Sequence, residues 1–379
     1  MNHRERVLAA IEHEEPDRVP VDFGSSSAGI HTKTYEELKN YLGVKSETVL
    51  YHMMQQLAYV DEPVLERFDI DTRHILPSPL PARPPKKVFP DGSYIDLWGV
   101  KRVRAGYYYD IPSDGHPLRN ASIDDVDEYD WPDPYESAQK AIGYMRERVK
   151  RLHEETNYAL VYSASANFFE TSWSLTGFQR FFIDLIRDPS FVCNVMDKVL
   201  EYGMKFESEV LPEIGDYIDI VRTSDDLGMQ NGPLLSLEMY RKYIKPRQKK
   251  AFQLIKSKTD AKIFLHSCGS ISVFLDDLAE IGVDIINPVQ VSAKNMDTKM
   301  LKEKFGDKLC FWGAVDTQKV LPYGTVKEVE EEVRKRIKDL APNGGYVLCA
   351  VHNVQPGVPP ENVVAMYDSA KKWGSYPVA

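Results

Sequence analysis

The sequence predicts an α/β protein of the (β/α)8 TIM-barrel class, with an N-terminal helical extension and a β-containing insertion over the barrel mouth. Three observations carry this. Eight apolar strand candidates recur along the chain, and long amphipathic segments separate the later ones. Several strands are near-continuous apolar runs, such as Ile263-Phe264-Leu265, as parallel strands covered on both faces require. No Gly-rich dinucleotide fingerprint follows the first strand, which weighs against a doubly wound open sheet.

Taken in order, residues 3–13 read as a short helix, with Val7, Leu8 and Ile11 at helical spacing and Glu14-Glu15-Pro16-Asp17 as its break. Val19, Val21 and Phe23 then alternate as a strand that ends at Gly24. Residues 34–42 and 54–67 read as helices, and Phe68–Leu76 as the second strand. Residues 77–136 differ: Pro77, Pro79, Pro81, Pro84 and Pro85 stiffen the chain, and Gly92, Trp98-Gly99 and Tyr107-Tyr108-Tyr109 suggest a β excursion. This stretch lacks a core-sized set of apolar residues, so 1–379 is read as one domain with an insertion at about 77–136. Helix and strand then alternate. Strands are expected at Tyr158–Ser163, Tyr217–Thr223, Lys262–His266, Val283–Pro288, Leu309–Gly313 and Tyr346–Val351, with helices over 171–186, 189–211, 237–258 and 325–341.

Composition narrows the function. Of 379 residues, 47 are basic and 57 acidic, a net charge of −10 that argues against a nucleic-acid binder. Cys193, Cys268, Cys310 and Cys349 are too sparse for a disulfide scaffold. There is no apolar signal stretch at the start and no 18-residue apolar run, so no membrane span is expected and the cytoplasm is the expected location. The oligomeric state is open.

Barrel chemistry sits where strands end. Asn167 and Glu170 follow the third strand, and Asp225, Asp226 and Gln230 the fourth. His266 and Cys268 follow the fifth, Gln290 the sixth, Asp316 the seventh, and Cys349, His352 and Gln355 the eighth. In His266-Ser267-Cys268-Gly269 the i and i+2 side chains of an extended chain share a face, and Gly269 lets the backbone turn away. Imidazole and thiolate are natural zinc ligands, and the eighth strand offers Cys349 or His352 as a third. The plain alternative is a hydrogen-bonded histidine beside a small buried cysteine. Asp225, Asp226 and Glu170 are candidate proton-handling residues, or else helix caps and helix N-terminal charges. Cys193 and Cys310 read as core. His31 and His52 lack strand-end context, and Tyr107–Tyr109 reads as a lid or, more simply, as loop packing.

Arg4-Glu5-Arg6-Val7-Leu8-Ala9-Ala10 with Pro16-Asp17-Arg18-Val19-Pro20-Val21 resembles the uroporphyrinogen decarboxylase superfamily. So do HSCG at 266–269, Gly282-Val283-Asp284 with Asn287-Pro288, Trp312-Gly313-Ala314-Val315-Asp316, and Gly344-Gly345-Tyr346 through Pro360-Glu361-Asn362. The resemblance implies a (β/α)8 barrel and one of two branches. The decarboxylases carry an Arg-rich stretch after the first strand. Here Asp22-Phe23-Gly24-Ser25-Ser26-Ser27-Ala28-Gly29 has no Arg. The corrinoid-linked methyltransferases bind zinc through His-x-Cys and a late third ligand. His266 and Cys268 match the pair, and the late position falls on His352, with Cys349 as substitute. HNVQP at 352–356 is similar to the bacterial O-demethylase type. That implies transfer of a methyl group from a methoxylated, often aromatic, compound to the cobalt of a separate corrinoid protein, with zinc as Lewis acid. A decarboxylase-type lyase and a non-catalytic barrel that binds a corrinoid or its carrier are the alternatives.

Overall fold

A computed structural model describes every residue except Ser26, Arg83, Ala166 and Ala379. Ser26 of the serine segment and Arg83 of the insertion therefore lie outside the described residues. Among the described residues seven parallel strands form one sheet in chain order: Thr72–Ile75, Ala159–Ser163, Ile220–Ser224, Lys262–His266, Ile285–Asn287, Cys310–Val315 and Tyr346–Ala350. Each predicted strand from the second onward overlaps one of them, with Ile220–Ser224 and Cys310–Val315 running one and two residues past the predicted ends.

The first predicted strand, Val19 to Phe23, forms no ladder, yet it occupies the eighth position. Leu348 N donates to Pro20 O at 2.9 Å and Asp22 N to Leu348 O at 3.0 Å, while Asp71 N donates to Val21 O at 3.0 Å. The segment thus joins the last strand to the first and closes the barrel. It stays irregular for two local reasons. Pro20 has no N–H to give, and Val21 N donates to the Asp71 side chain at 2.8 Å instead of to a backbone carbonyl.

Alternation sorts the two faces of the wall. Leu160, Tyr162, Val221, Ile263, Leu265, Ile286, Phe311, Tyr346 and Leu348 pack into the helical layer. Val161, Ile220, Phe264, Ile285, Trp312, Val347 and Cys349 fill the lumen, and Val7, Ala10 and Ile11 join them. Helix His3–Ile11, held by an Asn2/Glu5 capping box, therefore packs onto the lumen core.

Two expected helices differ. Within 54–67 only Glu62–Phe68 is helical, with Pro63 in its first turn. Upstream, Leu50–His52 and Leu57–Ala58 pair antiparallel instead. The 171–186 stretch is two helices, Phe169–Thr176 and Phe178–Arg187, broken at Gly177 with φ +91°. The insertion carries four short antiparallel strands between Lys87 and Asp110. Its Tyr108 hydroxyl donates to Gln355 Oε1, in the loop that follows the last strand. No helix among the described residues is long and apolar enough to cross a membrane.

Candidate metal centre

The strand Lys262–His266 sends Phe264 into the lumen, and His266 follows on the same face at the strand's end. Cys268 Sγ lies 3.4 Å from His266 Nε2. His352, from the loop after Tyr346–Ala350, brings its ring to 5.6 Å from that of His266. Ligand atoms of His266, Cys268 and His352 all lie within 4.8 Å of one another, with His266 buried and the other two half-buried.

Neighbouring loops hold the turn that carries Cys268. Cys268 N donates to Asp226 Oδ1 at 2.7 Å, Gly269 N to Gln290 Oε1 at 2.8 Å, and Leu227 N to Ser267 Oγ at 3.0 Å. Gly269 has φ +87°, and a Cβ there would stand 2.3 Å from the Gly228 carbonyl carbon. Only glycine fits where these two backbones cross.

Burial, then the charges of Arg222 and His352, push His266 well below the usual imidazole range. Burial and Arg222 bring His352 down to about 4. Both shifts favour the neutral imidazole, the form that ligates a metal. The Cys268 thiol is pushed up by burial and then by the Asp226 and Glu170 carboxylates.

The three acids divide by environment. Asp225 Oδ1 accepts from Phe169 N at 2.9 Å and Glu170 N at 3.1 Å, so it caps the helix Phe169–Thr176. Asp226 holds the Cys268 backbone. Glu170 Oε2 accepts from Ser224 Oγ at 3.3 Å. Burial first, then Asp226 and Asp225, raise its carboxyl well above the usual range. Burial likewise raises the Asp225 carboxyl well above its usual range and the Asp226 carboxyl above it, so all three acids are driven toward the protonated form.

Cys349, the alternative to His352, stands apart from this trio. Its thiol donates to Ala350 O at 3.2 Å, and its side chain packs in the lumen with Phe264 and Trp312. Cys310 is likewise buried in the lumen, and Cys193 is half-buried against the outer core. His31 caps the helix Thr32–Leu42. Asp316 caps its own loop, accepting from Gln318 N and Lys319 N. Gln290 and Gln318 both donate to Gln230 Oε1, linking three loops at the rim.

Two residues escaped the sequence reading. Arg222 lies inside the wall, its Nε donating to Ser27 Oγ at 2.5 Å. A cation in the apolar run Ile220-Val221-Arg222 was the signal for it. Asn287, fully buried, places its Oδ1 2.5 Å from His266 Nδ1. Only strand register, His266 opposite Asn287, reveals that contact.

A family profile described as uroporphyrinogen decarboxylase (URO-D) matches residues 103–373. The uroporphyrinogen decarboxylase of Alkalilimnicola ehrlichii is 21% identical over 375 residues, spanning 96% of this chain and 93% of that protein. The one from Chlorobium chlorochromatii is 23% identical over 194 residues, 50% of this chain and 51% of that protein. Among solved structures, a methyltransferase from Methanosarcina mazei superposes with a TM-score of 0.65 at 19% identity, covering 98% of this chain and 99% of that one, a likeness of fold. With the profile spanning most of a barrel whose mouth gathers His266, Cys268 and His352, the chain belongs to the uroporphyrinogen decarboxylase family.

Proposed function

We propose that this chain is a zinc-dependent methyltransferase, which moves a methyl group from a methoxylated, aromatic compound to the cobalt of a separate corrinoid protein. The observation that carries the reading is the convergence of His266, Cys268 and His352 at the mouth. The solved relative named a methyltransferase supports it. So does the segment 22–29, which has no Lys or Arg of its own to clasp a polycarboxylate substrate and is met at Ser27 by the guanidinium of Arg222.

The donor set fits zinc: two imidazoles and a cysteine that would lose its proton and bind as thiolate would give three protein ligands, the number found in catalytic sites. Zinc bound there would supply a Lewis acid for the ether oxygen. The chain's own groups do the rest. Asp226 aims Cys268 by accepting its backbone N–H. Glu170, whose carboxyl burial drives toward the protonated form, would give a proton to the oxygen that leaves when the methyl carbon–oxygen bond breaks, so that phenol and not phenolate departs. Phe264 and Trp312, with ring centroids 5.4 Å apart, form an apolar floor below His266.

The test is direct. Purified protein should carry about one zinc per chain, one equivalent for the single trio proposed as its ligands. Methoxylated aromatics with a reduced corrinoid protein should give methylcobalt and free phenol. A panel of methyl ethers, methylamines and methanol that yields no methylcobalt would overturn the reading. The second reading, a decarboxylase, draws on the curated relatives' names, and release of carbon dioxide from a porphyrinogen would establish it. Zinc without any turnover would leave a non-catalytic barrel that binds the corrinoid carrier.

A further inference from the structure

We propose that Asn287 is a positioning residue, which holds His266 in the tautomer with a proton on Nδ1 and a bare Nε2 aimed at Cys268 and His352. The assignment follows from donors and acceptors alone. Asn287 is fully buried on the strand beside His266 and in register with it. One end of its amide faces the Trp312 carbonyl at 3.0 Å. A carbonyl only accepts, so the atom facing it is the NH2 group. The other end, Oδ1, must then face His266 Nδ1, at 2.5 Å. An amide oxygen also only accepts, so Nδ1 carries the proton. Nε2 of the neutral ring keeps its lone pair, and it is the nitrogen 3.4 Å from Cys268 Sγ.

The support continues across the lumen. Trp312 Nε1 donates to Asp22 Oδ2 at 2.9 Å, and Asp22 Oδ1 meets Thr72 Oγ1 at 2.5 Å and His74 Nε2 at 2.8 Å. Trp312 is thereby fixed at both its ring and its carbonyl, so the Asn287 amide cannot flip without losing a partner at each end. His74 Nδ1 has no hydrogen-bond partner among the described residues, but Asn287, Trp312 and Asp22 are each paired, and a satisfied buried polar chain rigidifies what it holds. Four strands and the closing segment contribute to it, so the orientation of His266 is set by the closed barrel and not by its own loop.

The consequence for metal rests on the zinc reading above, whereas the tautomer does not. The test therefore has two readouts. In metal-free protein labelled with 15N-histidine, long-range 1H–15N spectra report which ring nitrogen of His266 is protonated, the signal being identified by its loss in His266→Ala. Wild type should show protonated Nδ1. Asn287→Asp, which keeps an acceptor at the same place, should show the same, and Asn287→Leu should lose it. Zinc affinity, read by chelator competition, should fall by about 10–100-fold in Asn287→Leu, as for loss of other outer partners of metal-bound histidines, and return in Asn287→Asp. A proton on Nε2 in wild type, or an unchanged tautomer and zinc affinity in Asn287→Leu, overturns the proposal. Should Asn287→Leu not fold, the wild-type and Asn287→Asp spectra decide it. The stated tautomer in a protein that binds no zinc would retain the role of Asn287 and reject the metal reading.

Discussion

Barrel closure depends on Asp71, and Asp71→Asn should destabilise the fold by about 3–5 kcal/mol, the range for removing one partner of a buried ion pair. The carboxylate is fully buried. It accepts from His3 Nδ1 at 2.8 Å, Arg6 Nη1 at 2.7 Å, Arg18 Nη1 at 2.8 Å and Nη2 at 3.0 Å, and Val21 N at 2.8 Å. Asparagine preserves the shape but removes the charge that two largely buried guanidinium groups share. Its NH2 would also point a donor at other donors. Asp17→Asn is the control: it too loses hydrogen bonds to Arg6, at 2.7 and 2.8 Å, but Asp17 is 44% exposed. Screening by solvent should hold that loss below about 1 kcal/mol. Urea unfolding at neutral pH, followed by tryptophan fluorescence, measures both. If Asp71→Asn costs no more than Asp17→Asn, the clasp is not what closes the barrel. The pH dependence gives a second check. Burial alone would raise the Asp71 carboxyl, but His3, Arg18 and the Val21 N–H overcome it and hold it below the usual range. The folded value lies under the unfolded one, so the contribution is complete above the unfolded value, about 3.9. It is lost as the pH falls through the folded value. Wild type should therefore lose stability below about pH 4, and Asp71→Asn should lose less over the same window.

Three further outcomes follow from the site. Glu170→Gln should keep zinc and fold but lower the methyl-transfer rate by roughly 10²–10⁴, the usual contribution of a placed acid; a wild-type rate would remove Glu170 from the mechanism. Asp225→Ala should cost about 0.5–2 kcal/mol of stability as a lost cap, with the chemical step little affected, and a rate collapse at unchanged stability would show that Asp225 acts on substrate. His352→Ala should strip zinc whereas Cys349→Ala should retain it, because the Cys349 thiol is committed to Ala350 O inside the lumen; the reverse pattern in metal analysis would exchange the two.

Much of this was legible in the amino-acid order. Near-continuous apolar runs such as Ile263-Phe264-Leu265 marked the wall, because a strand buried on both faces must be apolar throughout. His266 and Cys268 could be placed on one side because extended backbone repeats every second residue. The 54–67 helix was misread because Leu57 and Ala58 satisfy helical and strand spacing alike, and their pairing with Leu50–His52 decides between them. Local sequence also could not separate the two jobs of neighbouring acids. Asp225 and Asp226 differ only in what each meets, the N-terminus of the helix Phe169–Thr176 for one and the Cys268 N–H for the other. The resemblance already put the late position on His352, whereas the turn of the Cys349 side chain into the lumen core, and the reach of Asn287 to His266 from a strand 21 residues away, exist only in the tertiary structure. Periodicity is a property of the backbone and is written along the chain, whereas a hydrogen-bond partner across the lumen exists only once the barrel has closed.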